Sequence, residues 1–128
     1  MKRYLTVLCA LILGGFATLG TVGCAQSPAH AVNDVASDPA AYTGTITISG
    51  IMGGTSRMDP AVFGIMDVKE LQCTTPGCNK LFIPVRAAGP IPALGDEVRV
   101  TGAFKNEGSG YIFVAEKVKV VKNHKIGG

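Results

Sequence analysis

From Thr45 onward the apolar side chains tend to fall at every second position, and this period constrains the chain more than any other feature. Successive side chains of a strand point to opposite faces, so a period of two describes a strand with one buried face. Five segments carry it. "TITISG" sets Ile46 and Ile48 against Thr45, Thr47 and Ser49. "AVFGIMD" is the second, and "KLFIPVRA" puts Leu81, Ile83 and Val85 on one face and Phe82, Pro84 and Arg86 on the other. "DEVRVTGAF" turns Val98 and Val100 inward and Arg99 and Thr101 outward. In "YIFVAEKVKVV", strict alternation assigns Ile112, Val114, Val118 and Val120 to the inner face and Tyr111, Phe113, Lys117 and Lys119 to the outer one. The turn sequences "GGTSRMDP", "CTTPGCN", "GPIPALGD" and "NEGSG" separate the five.

Five strands in roughly 80 residues suit a small closed barrel better than a sandwich of about seven strands or more. The expected class is all-β, a five-stranded barrel preceded by short helical turns. Those turns fall in "VNDVASDPAAYTG", where Val32, Val35 and Ala36 share a helical face. Asp38-Pro39 reads there as an N-cap followed by proline at the first helical position, and Gly44 ends the stretch.

The first residues stand outside this pattern. Lys2 and Arg3 precede an apolar run from Tyr4 to Leu19, short and glycine-rich, which suits a secretory signal better than a membrane-spanning helix. The run leads into "LGTVGCAQ", which resembles the lipobox of bacterial lipoproteins: Gly23 precedes Cys24, and Thr21 stands where leucine is usual. The resemblance implies a signal peptide over residues 1–23, a lipidated Cys24 and a tether over residues 24–31. With the non-acidic Ala25 next, it also implies a periplasmic-facing protein anchored in the outer rather than the inner membrane. One alternative is cleavage after "AHA", Ala29 to Ala31, giving a secreted soluble protein; another is an uncleaved anchor. All three place the remainder outside the cytoplasm. Loss of Lys2 and Arg3 lowers the 12 basic residues to 10 against 9 acidic ones, a net charge of +1 in place of +3. A chain so close to neutral is not expected to take nucleic acid as a partner, despite the precursor pI of 8.7.

Read together, "DPAAYTGTITISGIM", "FGIMD", "LFIPV", "LGDEVRVTGAF" and "YIFVAEKVKVV" resemble the OB-fold group of exported bacterial proteins. In that group a "DP..Y.G" turn leads into the first strand and "GD.V.V.G" opens the fourth. The resemblance covers residues 32–121 and leaves residues 122–128 as a basic, flexible tail. It implies an OB barrel, a fold that binds oligonucleotides, sugars, haem or proteins, or acts as a spacer.

Cys73 and Cys78 flank "TTPG" between the second and third strands. Pro76-Gly77 is turn chemistry that brings two α-carbons within disulfide reach, and an oxidising compartment favours the bridge. Zinc normally takes four ligands, and the strand-rich region has no histidine to add to the two cysteines. A redox pair of the thioredoxin kind has two residues between its cysteines, where this chain has four. A c-type haem site has histidine directly after the second cysteine, where Asn79 stands. Copper(I) stays open as an alternative, because Met52, Met58 and Met66 are soft ligands near the pair. No cofactor is expected otherwise.

Catalysis is not expected. The only histidines are His30 and His124, near the two ends, and the acids Asp59, Asp67, Asp96 and Glu97 fall at turns or strand ends, where local hydrogen bonds account for them. The glycines and arginine of "GGTSRMDP" form at most a weak phosphate cradle, since they do not open a helix. The candidate ligand face is instead Arg57, Phe82, Arg86 and Phe113, aromatics beside arginines able to stack on a small ligand or on an envelope protein; packing beneath neighbouring segments is the other reading for Phe82 and Phe113. "KVKVVKNHKIGG" also loosely resembles the periplasmic haem chaperones of cytochrome c maturation, whose OB barrel is followed by a tail with a haem-binding histidine. His124 takes that place, without the tyrosine that follows in the family. The resulting expectation is a non-catalytic binding or accessory module of the cell envelope. Its alternative is a metal- or haem-handling protein using Cys73, Cys78, Met58 or His124.

Overall fold

The computed structural model describes residues 28–73, 77–78 and 80–126. The signal peptide, Cys24 and residues 25–27 of the tether lie outside the described residues. The elements in order are β1 (Ala29–Ala31), α1 (Val32–Ser37), a 3-10 helix at Pro39–Ala41, β2 (Ile46–Thr55), β3 (Val62–Met66), a 3-10 helix at Val68–Gln72, β4 (Phe82–Ala87), β5 (Asp96–Asn106) and β6 (Tyr111–Asn123). The chain is thus mostly β, with six described strands against the five expected. The sixth is β1, which turns the end of the expected tether into a short strand parallel to β2.

All six strands belong to one sheet in the order β1-β2-β3-β4-β6-β5, and β2 pairs with β5 as well. β2 manages this because it is long. Ile46 to Ile51 pair with β5, whereas Ile51 to Thr55 pair with β3, with a register shift between Met52 and Gly54. From β2 through β3, β4, β6 and β5 the hydrogen-bonded neighbours therefore return to β2. Within this ring β4 and β6 run parallel and the other pairs antiparallel.

The core lies inside the ring. Ile48 and Met52 from β2, Phe63 and Ile65 from β3, Ile83, Val85 and Ala87 from β4, and Val98 and Val100 from β5 form one buried cluster. Val32 and Val35 of α1 join it, so the expected helical face is real and serves to cover the apolar interior. Asp38 does stand before Pro39, although its side chain makes no capping hydrogen bond. Leu81 is a correction: it precedes β4 and is half exposed rather than inward.

β6 departs most from strict alternation. Phe113 is fully buried in the core cluster, whereas Val114 is 37% exposed. The pairing explains why. Thr101 faces Lys117 and Gly102 faces Ala115, so Glu116 is an extra residue on β6 and the strand's phase flips there. Val118 packs on the core on one side of this bulge, and Ala115 and Phe113 on the other. A second shift, between the Glu97–Lys122 and Val98–Val120 pairs, leaves Val120 half exposed at the end of the strand. Phe113 therefore belongs to the interior and is withdrawn from the candidate ligand face.

Gly102 makes the first bulge sterically possible, because a Cβ there would collide with the carbonyl oxygen of Val114. Gly95, at φ +85°, starts β5 from the left-handed region that glycine favours. The following Asp96 accepts hydrogen bonds from the Ala93 amide at 2.8 Å and from Asn123 Nδ2 at 2.7 Å. The "GD" pair thus ties the turn before β5 to the end of β6. Residues 122–126, expected as the start of a flexible tail, are docked by the same region: the His124 amide donates to the Gly95 carbonyl at 2.9 Å, and the Lys125 amide to Asn123 Oδ1 at 2.7 Å.

Gly102→Ala is expected to destabilise the fold by about 2–4 kcal/mol, because backbone rather than a flexible side chain must yield. Gly54→Ala meets nothing within 4 Å and is expected to stay within about 1 kcal/mol of the parent. Chemical denaturation of the two variants checks the contrast.

Candidate binding site

The outer face of β2, β3 and β4 is shaped by glycines. Gly54 lies opposite Gly64, and Gly64 lies opposite Pro84. A Cβ on Gly53 would run into the ring of Phe82, and one on Gly64 would come within 3.2 Å of it. The Phe82 ring thus rests on bare backbone, with 47% of the residue still exposed. Together with Thr55, Ser56 and Val62 these residues line an open cleft of about 400 Å³. The alternation of β4 predicted the outward direction of Phe82, and the structure bears it out. The glycine floor was missed, because "GGT" reads as turn although β2 continues to Thr55.

One end of the cleft is the loop after β2, and all of its amides but that of Arg57 are used locally. The amides of Met58 and Asp59 donate to Ser56 Oγ at 3.2 and 3.3 Å, and that of Ala61 donates to Asp59 Oδ1 at 2.9 Å. Ser56 and Val62 close the loop through backbone bonds, Ser56 N to Val62 O and Val62 N to Asp59 O. The loop is therefore no phosphate cradle. Arg57 and Met58 project from its tip, Met58 with 97% of its surface exposed.

Arg86 is not a free cation either. Its guanidinium forks onto Glu107, with Nη1 at 2.5 Å from Oε1 and Nη2 at 3.4 Å from Oε2, and its Nε lies 3.6 Å from Asp59. The hydrogen bond from Arg86 holds the Glu107 carboxyl below its ordinary value of 4.5, and the same bond raises the Arg86 value. Two carboxylates thus answer one guanidinium, and the arginine ties the loops after β2 and β5 together at the edge of the cleft. The sequence placed Arg86 on this face but carried no signal of partners 21 or more residues away.

The remaining candidates are scattered. Cys73 and Cys78 form a disulfide with α-carbons 6.3 Å apart, and Gly77 takes φ +105° beside it; Pro76 lies outside the described residues. His124 Nε2 sits 2.7 Å from Glu97 Oε2, and the His30 ring packs edge-on to Tyr42 at 5.1 Å. Among the described residues no three His, Cys, Asp or Glu side chains are placed to hold a metal ion. Sulfurs joined in a disulfide are also not the thiolates a soft metal needs. No described helix is long and apolar enough to cross a membrane. Of the expected turn acids, Asp59, Asp67 and Asp96 accept from nearby amides, and the buried Asp67 also accepts from the distant Asn33 amide at 3.1 Å, whereas Glu97 meets His124 from the far end of the chain. Comparison with protein-family models and with curated proteins finds no match for this chain.

Because the folded Glu107 carboxyl titrates below the unfolded one, its contact with Arg86 stabilises above the ordinary glutamate range and is lost as pH falls through the folded value. An NMR titration of the Glu107 side chain is expected to show a midpoint below 4.5, moved upward by Arg86→Gln. Replacement of both Cys73 and Cys78 by serine is expected to cost about 2 kcal/mol and several degrees in Tm with the β spectrum retained. Calorimetry and circular dichroism check it.

Proposed function

We propose that this chain is a non-catalytic, lipid-anchored binding module of the cell envelope, built on a five-stranded OB-type barrel. The observation that carries the binding reading is the cleft in which Phe82 lies over Gly53 and Gly64 beside the open Gly54. A ring of five strands with its third and fifth parallel supports the barrel, β1 being an added strand on β2. The OB barrel uses this strand face for ligands.

The chemistry of the cleft favours a neutral occupant. Phe82 offers an aromatic face, the glycines offer exposed backbone, and Arg86 is already committed to Glu107 and Asp59. An aromatic ring on a flat floor stacks with a sugar ring or an apolar side chain, whereas an anionic ligand would meet the two carboxylates. Catalysis has little support, since the His124–Glu97 pair has no serine or cysteine hydrogen-bonded to it among the described residues. The anchor rests on Gly23-Cys24 and its likeness to a lipobox.

Two measurements test this reading. Mass spectrometry of protein from the producing cell is expected to find a diacylated N-terminal Cys24; an unmodified N-terminus at Val32 would contradict the anchor. NMR titration with neutral glycan fragments and apolar peptides is expected to move the signals of Gly53, Gly54, Gly64 and Phe82. Phe82→Ala and the cleft-filling Gly54→Val are expected to weaken that binding about tenfold or more, from lost stacking and lost space respectively. Shifts confined to other faces would contradict the site.

A further inference from the structure

The outer face of β5 and β6 carries cations that the cleft does not use. Pairing sets Glu97 opposite Lys122, Arg99 opposite Lys119 and Thr101 opposite Lys117. These positions alternate with Val98, Val100 and Val118, which pack inward, so the charged side chains share the outside. Lys117, Lys119 and Lys122 are exposed and have no ion-pair partner among the described residues. Of the nearby acids, Glu97 lies opposite Lys122 and beside His124, and the exposed Glu116 occupies the bulge, so the cations of this face outnumber its acids four to two.

Such an arrangement is costly in isolation. Residues on one face of a strand repeat about every 6.7 Å, inside the Debye length of about 8–10 Å, so the cations feel each other. An adjoining anionic surface converts that repulsion into attraction. Val120 and Val121, each about half exposed between Lys119 and Lys122, add apolar area to the same end of β6.

The entry point of the chain says which surface this is. Ala29 pairs with Thr47, Thr47 with Thr101 and Thr101 with Lys117, so β1 starts in the same cross-strand row as the cations. Strands about 4.8 Å apart put Ala29 roughly 14 Å from Lys117 along the sheet. Cys24 precedes Ala29 by five residues, a reach of at most about 17 Å.

We infer that Lys117, Lys119 and Lys122 form a docking surface for anionic phospholipid headgroups. Contact there turns β3 and the Phe82 cleft, on the far side of the ring, away from the bilayer. The choice of a bilayer and the orientation both rest on the lipid-anchor reading; the experiment reads the headgroup contact separately from the anchor. Protein isolated from membranes of the producing cell, with any lipid it carries, is reconstituted with phosphatidylcholine vesicles with or without phosphatidylglycerol. Amine acetylation is then read lysine by lysine. Lys117, Lys119 and Lys122 are expected to react several-fold more slowly on the phosphatidylglycerol vesicles, with the difference abolished by high salt and absent at Lys69 and Lys80. In the Lys117→Gln, Lys119→Gln double variant, the protection of Lys122 is expected to disappear. Flotation with phosphatidylcholine alone reports the anchor separately. Flotation only with phosphatidylglycerol, with the three lysines still protected, removes the anchor and upholds the headgroup contact. Equal reactivity of all lysines on both vesicles overturns it, as does protection of the three by an oligonucleotide and not by vesicles.

Discussion

Within the ring β2 pairs with both β3 and β5, and the rest of the structure depends on that. Its first half holds β5 and its second half holds β3, so one strand joins the two ends of the run β3-β4-β6-β5 and encloses the core. Closing a sheet on itself requires curved strands, and in β2 the irregularity that allows a bend falls where the register shifts between Met52 and Gly54. Glycine is required close by for a second reason. A Cβ at Gly50 would strike the Val32 side chain and the Met66 carbonyl, so α1 closes over the core only because nothing projects there. Gly50 thus permits closure, and Gly53 and Gly64 leave the bare floor on which Phe82 lies.

The period of two was legible wherever the strands are regular. Ile48, Ile83, Val85, Val98 and Val100 are buried as alternation requires. It failed where a strand changes phase. Nothing in "FVAEKVKV" marks Glu116 as an extra residue, because the bulge is set by the close approach of Gly102 to the β6 backbone, a contact between segments distant in sequence. Counting back from Val118 therefore puts Phe113 on the wrong face. The extension of β2 was hidden for a related reason: "GGT" has turn composition, and only the facing β3 makes it strand. β1 has no local signal, since three residues of "AHA" are strand only because β2 offers them an edge. The candidate site was half legible. Phe82 and Arg86 followed from parity, whereas the partners that neutralise Arg86 came with tertiary structure.

The ring presents two outer faces of different chemistry. Across β3 and β4 two carboxylates face the single guanidinium of Arg86 and the centre is apolar; across β5 and β6 the charge is basic. The Cys73–Cys78 bridge belongs to the first, since it shortens the free path of the connection that delivers Phe82 four residues later. Restricting that connection lowers the entropy lost in holding the aromatic ring over the glycines. The proposed division of labour, ligand on one side and bilayer on the other, then follows from where the chain enters the sheet.

The central claim is the closure of the ring with the β6 phase set by its bulge. Nuclear Overhauser spectroscopy of the folded protein tests it most directly. The account predicts backbone cross-peaks between β2 and β5 at Ile48–Val100, and between the parallel strands β4 and β6 at Val85–Phe113. It also predicts contacts from the Phe113 ring to core side chains. Absence of the β2–β5 peaks, or a Phe113 ring in contact with solvent while Val114 meets the core, would contradict it.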